Sequence, residues 1–285
     1  MKRFALACID EKLESVKTLL PVAAAAADYR DQAKRAFFNA CEHGRHRVAK
    51  WLLQQIPFLD PHAENDRAFV FACRGGHMKV AKWLLDMTPN ECVKNEALAQ
   101  SCISGHIDVA KWLHSNSLFI DVHFSNDLPL RIACYNGHVE LAKWLWSVAK
   151  KRPSLNFEVL HVTCQHDHVD VVEWLLGVVP DLFTNPRVDD TFQDACRRGR
   201  LDLAKLLWSA SRRNRFSEAC LQNGWVIARF KSRPTALWMI SACHVKPSRD
   251  DRDYWPVYVD EVLLEKVRKI VLLYIHLVRY IRSRM

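Results

Sequence analysis

The sequence contains few glycines and no glycine-rich phosphate-binding loop. Only eight of its 285 residues are glycine, and five of these stand at a repeated turn position. The chain has neither a P-loop nor the Gly-x-Gly-x-x-Gly pattern of dinucleotide-binding folds, both of which need glycine so that backbone N–H groups can approach a phosphate. It also lacks the His-Glu-x-x-His pair of zinc hydrolases. We therefore expect no catalytic residues, no metal and no cofactor.

Long uninterrupted apolar runs are also missing. The first twenty residues lack the apolar core of a secretory signal, and the five alanines at 23–27 are too few to cross a bilayer. The most apolar window, residues 262–281, carries six ionisable side chains, among them Glu265 and Arg268, which argues against a membrane-spanning helix. We expect a protein without a membrane span, in the cytoplasm or the nucleus.

Cysteine, in contrast, is abundant and regularly spaced. Six cysteines follow one another at intervals of 32, 29, 32, 30 and 32 residues, and five of the six precede a tryptophan by ten residues. A unit of about thirty residues is too short to bury its own apolar face, so successive copies must stack. The pattern predicts an all-α repeat array, built on Cys41, Cys73, Cys102, Cys134, Cys164 and Cys196.

The cysteines are predicted to be buried free thiols. Eight of the ten fall at one position of the repeat, with Cys92 and one weakly placed copy set aside. Equivalent positions on stacked helices lie roughly 8–10 Å apart, whereas a disulfide requires Cα atoms closer than about 7 Å. Buried free cysteines are typical of proteins in a reducing compartment.

Each repeat is predicted to be two short helices joined by a tight turn. The clearest copy is 129–145, in which Leu130, Ala133 and Cys134 give one apolar face and Leu141 begins the next. Three residues after the cysteine stands a residue that tolerates left-handed backbone and can end a helix. In four copies a histidine follows, and we expect it to hydrogen-bond the loop backbone. The turn residues are Gly44, Gly76, Gly105, Gly137, Asp167, Gly199 and Asn223, and the histidines are His77, His106, His138 and His168.

The repeat resembles that of the ankyrin family. Pro129-Leu130, Gly137-His138 and the segment Val139–Lys143 match the family's helix–turn–helix pattern. Ala-Lys-Trp-Leu segments such as 142–145 are similar to those of arrays in large DNA viruses and some protists, and a viral origin would imply the cytoplasm or nucleus of a host cell. The Gly-Thr of the family's inter-repeat hairpin is missing. Irregular loops are therefore expected at Ile56–Asn65 and Ser115–Asp127.

The chain is predicted to divide into three segments. Residues 1–243 form the repeat array with a shortened unit at each end, residues 244–256 form a linker, and residues 257–285 form an amphipathic helix. The unit before the last holds Cys220, and residues 235–243 resemble a first helix alone. The final helix has three candidate roles. It could cap the last repeat, it could recruit a second protein such as a ubiquitin-ligase component, or it could lie on a membrane surface.

The positive charge is concentrated in one segment. The net charge is +9, and residues 197–233 hold ten basic and two acidic residues, which places eight of the nine excess charges there. Such a stretch is typical of a solvated outer face. It is also compatible with nucleic acid or another anionic partner.

One short segment concentrates potential zinc ligands. His161, Cys164, His166 and His168 lie within eight residues. Zinc needs ligands that converge on one point, whereas the repeat sends Cys164 into the core and His168 to the turn. We therefore predict no metal site there.

The resemblance implies a concave surface lined by the first helix of each repeat, through which ankyrin arrays bind other proteins. The positions two before, one after and two after each cysteine are expected to be exposed there. We predict a monomeric, non-enzymatic protein-interaction scaffold whose central contact area is Phe71, Arg74, Ile103 and Tyr135. The full set of predicted partner-binding residues is Phe71, Arg74, Ile103, Ser104, Tyr135, Asn136, Gln165, His166, Arg197 and Arg198.

Overall fold

The computed structural model describes residues 7–9, 13–24, 28–87, 91–116, 120–210, 216, 218–243, 245, 266, 269 and 270. These residues form helices joined by short turns, with no β-strand among them. A short 3-10 helix spans Pro180–Thr184. The α-helices are α1 (Leu13–Ala24), α2 (Tyr29–Glu42), α3 (His46–Gln55), α4 (Ala63–Arg74), α5 (Met78–Leu85), α6 (Glu91–Ser104), α7 (Ile107–Asn116), α8 (Phe124–Tyr135), α9 (Val139–Val148), α10 (Phe157–Gln165), α11 (Val169–Val178), α12 (Val188–Arg198), α13 (Leu201–Ala210), α14 (Glu218–Lys231) and α15 (Arg233–Cys243).

The chain divides into two compact units, Met1–Val159 and Leu160–Met285. In the first unit α2 pairs with α3, α4 with α5, α6 with α7 and α8 with α9, and the first helices α2, α4, α6 and α8 pack against one another in that order. In the second unit α12 pairs with α13 and α14 with α15, while α12 packs against α14. The predicted all-α helix–turn–helix array is therefore confirmed.

The tight turn within each pair is closed by the residue types that the sequence predicted. At the α8–α9 turn Gly137 has φ 78°, and the N–H of His138 donates to the carbonyl of Ala133 at 2.9 Å. This 6→1 bond is the Schellman arrangement, which satisfies a carbonyl at the end of the first helix. Left-handed backbone is confirmed at Gly44, Gly76, Gly105, Gly137, Asp167 and Gly199.

The residue after each turn holds the preceding pair. The Nε2–H of His138 donates to the carbonyl of Ile103 at 3.0 Å, and the ring lies against Gly105. His77 bonds the carbonyl of Glu42 in the same way, so the predicted hydrogen bond from histidine to loop backbone is confirmed at these turns. At the equivalent position Arg200 donates to the carbonyls of Cys164 and Gln165 at 2.6 and 2.7 Å.

The repeat cysteines form part of the core. The nine cysteines in the described core are all free and buried, as predicted. Burial raises the pKa of the Cys134 thiol to about 12, because the thiolate would lose its hydration. These thiols act as small apolar side chains between neighbouring helices.

The predicted turn at Asn223 is wrong. Helix α14 runs from Glu218 to Lys231 without a break, and Asn223 lies on its exposed side. Cys220, Gly224, Trp225 and Ala228 are buried, so the apolar spacing is satisfied by one continuous helix. Residues 235–243 are likewise not a lone first helix, since they belong to α15, which packs against α14.

The connectors into α4 and α8 include the first residues of these helices and are more regular than the sequence predicted. Glu64–Asp66 and Ser125–Asp127 all have positive φ between 51° and 60°. In each connector a histidine Nδ1–H donates to the last of these residues, at 2.5 Å between His62 and Asp66 and at 2.6 Å between His123 and Asp127. Asparagine and aspartate tolerate left-handed backbone better than other L-residues, which accounts for the Asn-Asp sequence in both connectors.

The predicted linker at 244–256 and helix at 257–285 lie outside the described residues, apart from a few positions. Val245 is buried, while Lys266, Lys269 and Ile270 are helical and exposed. The three-segment division of the chain stays a prediction.

Candidate functional site

The first helices of the first unit form a groove with two adjoining cavities. One cavity, of about 410 Å³, lies between α2 and α4, and the other, of about 360 Å³, lies between α4 and α6. Three α4 side chains line both of them, namely Glu64, Arg67 and Phe71. We call this surface the first-helix groove, and its remaining lining residues are Asp31, Lys34, Arg35, Phe38, Asn39, Asn65, Val70, Arg74, Glu96 and Gln100.

An arginine that packs against two touching phenylalanine rings forms the centre of the groove. The guanidinium carbon of Arg67 lies 4.8 Å from the ring centroid of Phe71 and 5.9 Å from that of Phe38. The two rings meet edge to face at 6.0 Å. Phe38 is buried whereas Phe71 is half-buried, so Phe71 carries the accessible apolar surface. Such cation–π and edge-to-face contacts restrict the rotamers of all three side chains.

Charged side chains around this centre are partly paired. Arg67 Nη1 lies 2.6 Å from Glu64 Oε2, and Lys34 Nζ lies 3.5 Å from Glu64 Oε1. The hydrogen bond from Arg67 is the main cause that lowers the pKa of the Glu64 carboxyl. Arg35 and Arg74 are exposed and form no ion pair with a described residue. The groove therefore offers two unpaired guanidinium groups beside an aromatic surface.

The structure brings together only part of the predicted contact area. Phe71 and Arg74 both line the cavity between α4 and α6. Neither Ile103 nor Tyr135 lines either of the two cavities, although both are half-buried in the same unit. Tyr135 accepts a hydrogen bond from Arg131 Nη2 at 3.2 Å.

The polar residues at the ends of α6 and α8 differ in their contacts. Ser104 is exposed. Asn136 is exposed as well, and its Nδ2 donates to the carbonyl of Ile132 at 2.9 Å. This bond closes the end of α8, so the Asn136 amide is partly used within the helix.

The remaining predicted residues belong to the second unit. Gln165 Nε2 donates to His161 Nε2 at 2.9 Å, and the exposed His166 ring stacks on His168 with centroids 5.9 Å apart. Arg197 and Arg198 are exposed, as predicted, and both form ion pairs with Asp194. The predicted exposure of Asp194, two residues before its cysteine, is wrong, because this side chain is buried beneath the two guanidinium groups.

Three of the groove residues that sequence reasoning missed carry the paired charges at its centre. Glu64, Arg67 and Lys34 lie more than one helical turn before the repeat cysteine, beyond the three positions predicted to be exposed. Part of the signal was present, because residues 67, 71 and 74 are spaced by 4 and 3 and so share one face of α4. Glu64 lies in the left-handed first turn of α4, which the spacing does not predict. The rings of Phe38 and Phe71 could not be placed around Arg67 without knowing how α2 packs on α4.

Neither a metal site nor a membrane span is found in the part of the chain that the structure describes. There, no three His, Cys, Asp or Glu side chains converge in a way that could hold a metal ion. No described helix is long and apolar enough to cross a membrane.

Comparisons with known proteins agree with this architecture. The family model for ankyrin repeats, three copies, matches residues 4–95 and 71–155. Together the matches cover residues 4–155, more than half of the 285-residue chain. No curated protein matches the sequence.

A solved structure shows the same fold. The crystal structure of the human ASB11 ankyrin repeat domain is similar to 74% of this chain over 98% of its own length, with 21% sequence identity and a TM-score of 0.50. At this level of identity the likeness concerns the fold alone, and it agrees with the predicted helix–turn–helix solenoid class. Together with the match of the family model, it leads to one conclusion: this chain belongs to the ankyrin-repeat family.

Proposed function

We propose that this protein is a non-enzymatic scaffold that binds a partner protein through the first-helix groove. Ankyrin repeats are in general protein-interaction modules. The observation that supports this particular surface is the half-buried Phe71, held against Arg67 next to the unpaired Arg74. Aromatic residues and arginine dominate interface hot spots, where an anchor side chain of the partner fills a pocket.

The framework behind the groove supports the proposal because it keeps the first helices in place. Each turn is closed by backbone hydrogen bonds, and the residue after it reaches the preceding pair, as His138 does. A surface that is ordered before binding loses little conformational entropy on association. The buried free thiols fit a reducing compartment, and we place the protein in the cytoplasm or the nucleus.

The test is affinity capture from the native cell followed by binding measurements on the purified partner. Arg74→Ala removes an exposed groove cation, and Phe71→Ala removes the accessible ring. Lys111→Ala serves as a control, because this residue is also exposed but lies on α7, the second helix of its pair. We expect each groove variant to weaken binding by about 30-fold or more, as for a hot-spot residue, and the control to bind like the wild type.

Urea unfolding of every variant separates a local effect from a loss of fold. The Arg74→Ala variant is the decisive one, since its side chain contributes nothing to the buried core. If Arg74→Ala and Phe71→Ala are folded and bind all captured proteins with wild-type affinity, the groove is not the binding surface.

We also propose an adaptor role for the C-terminal segment, on the basis of Ile270. This residue belongs to the apolar stripe predicted within 257–285, yet 64% of its surface is exposed. A helix that capped the last repeat would bury this side chain, so its exposure favours recruitment of a second protein, such as a ubiquitin-ligase component, over a capping role. Deletion of residues 257–285 should remove one class of captured proteins and retain those that depend on Arg74. A deletion that changes no captured protein would exclude the adaptor role.

We do not extend the proposal to anionic partners of the basic stretch 197–233. Arg197 and Arg198 pair with Asp194, and Arg200 donates to two backbone carbonyls. These contacts occupy N–H donors of the three guanidinium groups within the protein, so Arg197, Arg198 and Arg200 have fewer donors free for an anionic partner.

A further inference from the structure

A second exposed surface differs from the groove in both position and charge. It lies on the second helices α3 and α5, where Arg47, Lys50, Lys79 and Lys82 are all exposed. The two cations of each helix are three residues apart and so lie about one turn from each other. Because the two helices occupy equivalent positions in successive repeats, the four cations form a two-by-two array, with roughly 8–10 Å between helices. We call these four residues the second-helix basic patch.

The equivalent positions of the later repeats carry a different set of charges. At the position of Arg47 and Lys79, the following four second helices carry an acidic residue, namely Asp108, Glu140, Asp170 and Asp202. In α9 the acid pairs with the lysine that follows it, with Glu140 Oε1 2.7 Å from Lys143 Nζ. Surface charge in this array is therefore usually balanced within the helix. Helices α3 and α5 contain no acidic residue at all.

The cations of the patch are unpaired. None of the four forms an ion pair with any residue that the structure describes. His46 lies among them, and its ring meets that of Trp83 edge to face at 5.2 Å, so α3 and α5 are in direct contact. The pKa of His46 is lowered, first by burial of the ring and then by the positive charges of Lys79 and Lys50. The histidine is therefore neutral at physiological pH and does not add to the patch.

The chemistry of the patch fits a phosphodiester backbone better than a bilayer or a folded protein. Three of the four are lysines, which are flexible point charges, and Arg47 presents a planar guanidinium; both kinds of cation bind phosphate. Trp51 and Trp83, each next to a patch lysine, are half-buried and leave indole surface on which bases can stack. The large apolar side chains with high exposure in the described part are Phe58, Phe230 and Ile270, and none lies on α3 or α5, so nothing there would insert into a membrane.

We propose that the second-helix basic patch binds single-stranded nucleic acid through its phosphates, without sequence specificity. This surface is separate from the first-helix groove, so a partner protein and a nucleic acid strand would use different faces of the same repeats. Neutralising four phosphates releases counterions, and the affinity should fall with salt accordingly. The expected slope of log K against log[salt] is about −2.8, from about 0.7 per phosphate contact on a single strand.

The experiment is fluorescence anisotropy with the full chain and a labelled oligouridylate of about 20 nucleotides, at salt concentrations from about 50 to 200 mM. The double substitution Lys50→Gln with Lys82→Gln removes two contacts. It should reduce the slope to about −1.4 and weaken binding roughly 25-fold at 0.1 M salt.

The repeats supply a matched control for this variant. Lys111→Gln with Lys143→Gln removes the same charge from the same Ala-Lys-Trp-Leu position in the next two repeats. This control should bind like the wild type. Equal losses in the two double variants would show that net charge alone matters and would overturn the proposal.

Further arms identify the ligand class. We titrate three further ligands under the same conditions: duplex RNA of the same length, vesicles with anionic phospholipid, and polyglutamate. The proposal requires the single strand to bind more tightly than the duplex, because only unpaired bases can stack on the indole rings. It is overturned if the strand does not bind, or if vesicles or polyglutamate bind as tightly through Lys50 and Lys82. Arg74→Ala should leave oligonucleotide binding unchanged, so this test is independent of the groove.

Discussion

The α8–α9 pair and helix α14 show two outcomes of a similar sequence. Gly137 and Asn223 both stand three residues after a repeat cysteine, yet only Gly137 ends a helix, with φ 78°. The next position explains the difference. His138 follows Gly137 and donates to the carbonyl of Ile103 in the preceding pair, whereas Gly224 follows Asn223 and has no side chain that could reach back. A left-handed residue alone does not make the turn, and the residue that anchors it is also needed.

The burial pattern of α14 explains why the helix continues. Trp225 is only 1% exposed and Ala228 is fully buried. A turn at Asn223 would change the direction of the chain and carry both side chains away from the α12–α14 contact. Helix continuation instead buries an indole of more than about 150 Å². The tertiary gain therefore outweighs the local preference of Asn-Gly for a turn.

Alanine at a turn position should cause the largest loss of stability. Gly105→Ala places a Cβ at φ +76°, where it would lie 2.6 Å from ring atoms of His138. Left-handed backbone costs roughly 1 kcal/mol or more, and moving a packed ring adds about 1–3 kcal/mol. We expect the free energy of unfolding, measured by urea denaturation, to fall by about 2–4 kcal/mol.

Alanine at the equivalent position of α14 should instead raise the stability of the protein. Asn223→Ala changes an exposed position within a continuous helix, and alanine has the higher helix propensity, so stability should rise by about 0.5 kcal/mol. Gly177→Ala is a second control, because a Cβ there meets nothing within 4 Å. Destabilisation by Asn223→Ala as large as that by Gly105→Ala would show that α14 contains a turn after all.

Serine at two buried cysteines should change the stability by different, smaller amounts. Cys73 is fully buried in α4, and Cys73→Ser would bury a hydroxyl at a cost of about 1–3 kcal/mol. Cys220 in α14 already donates to the carbonyl of Asp189 at 3.5 Å. A serine hydroxyl there would keep this acceptor, so Cys220→Ser should cost less than about 1 kcal/mol.

Urea unfolding of both serine variants measures this difference, and Cys73→Ala separates the loss of the sulfur from the burial of a hydroxyl. Equal costs for Cys73→Ser and Cys220→Ser would mean that the Asp189 carbonyl does not stabilise position 220. The cysteines would then be equivalent in energy as well as in sequence position.

The sequence predicted the features that repeat and missed those that depend on packing between repeats. The period near thirty was enough to predict helix pairs, left-handed turns such as Gly137 and buried cysteines such as Cys134. It could not place Arg67 against two phenylalanine rings, because those rings come from different helices. Nor could it predict the burial of Asp194, since that depends on Arg197 and Arg198 folding over the carboxylate within one helix turn.

Acidification should destabilise the anchored turns but not α14. The expected change in the free energy of unfolding is smaller than for any of the substitutions above. The pKa of His77 is lowered, mainly by burial of the ring and further by nearby positive charge, while its hydrogen bond to the Glu42 carbonyl raises it in part. The folded protein therefore binds this proton less readily than the unfolded chain, whose histidine titrates near about 6.5. The stability that neutral His77 contributes is present above about pH 6.5 and is lost as the pH falls towards the lowered value.

Urea unfolding at about pH 7.5 and pH 5.5, on either side of the ordinary histidine pKa, measures this loss, with wild type and His77→Gln compared. Glutamine can still donate to the Glu42 carbonyl but does not titrate, so the variant should lose less stability on acidification than the wild type. His166→Gln removes an exposed imidazole that follows α10 and controls for the general loss of a histidine. Identical pH dependence in wild type and His77→Gln would mean that the ring is as well hydrated in the fold as in the unfolded chain. The anchor would then hold the turn by its hydrogen bond alone, and the difference from α14 would not extend to pH.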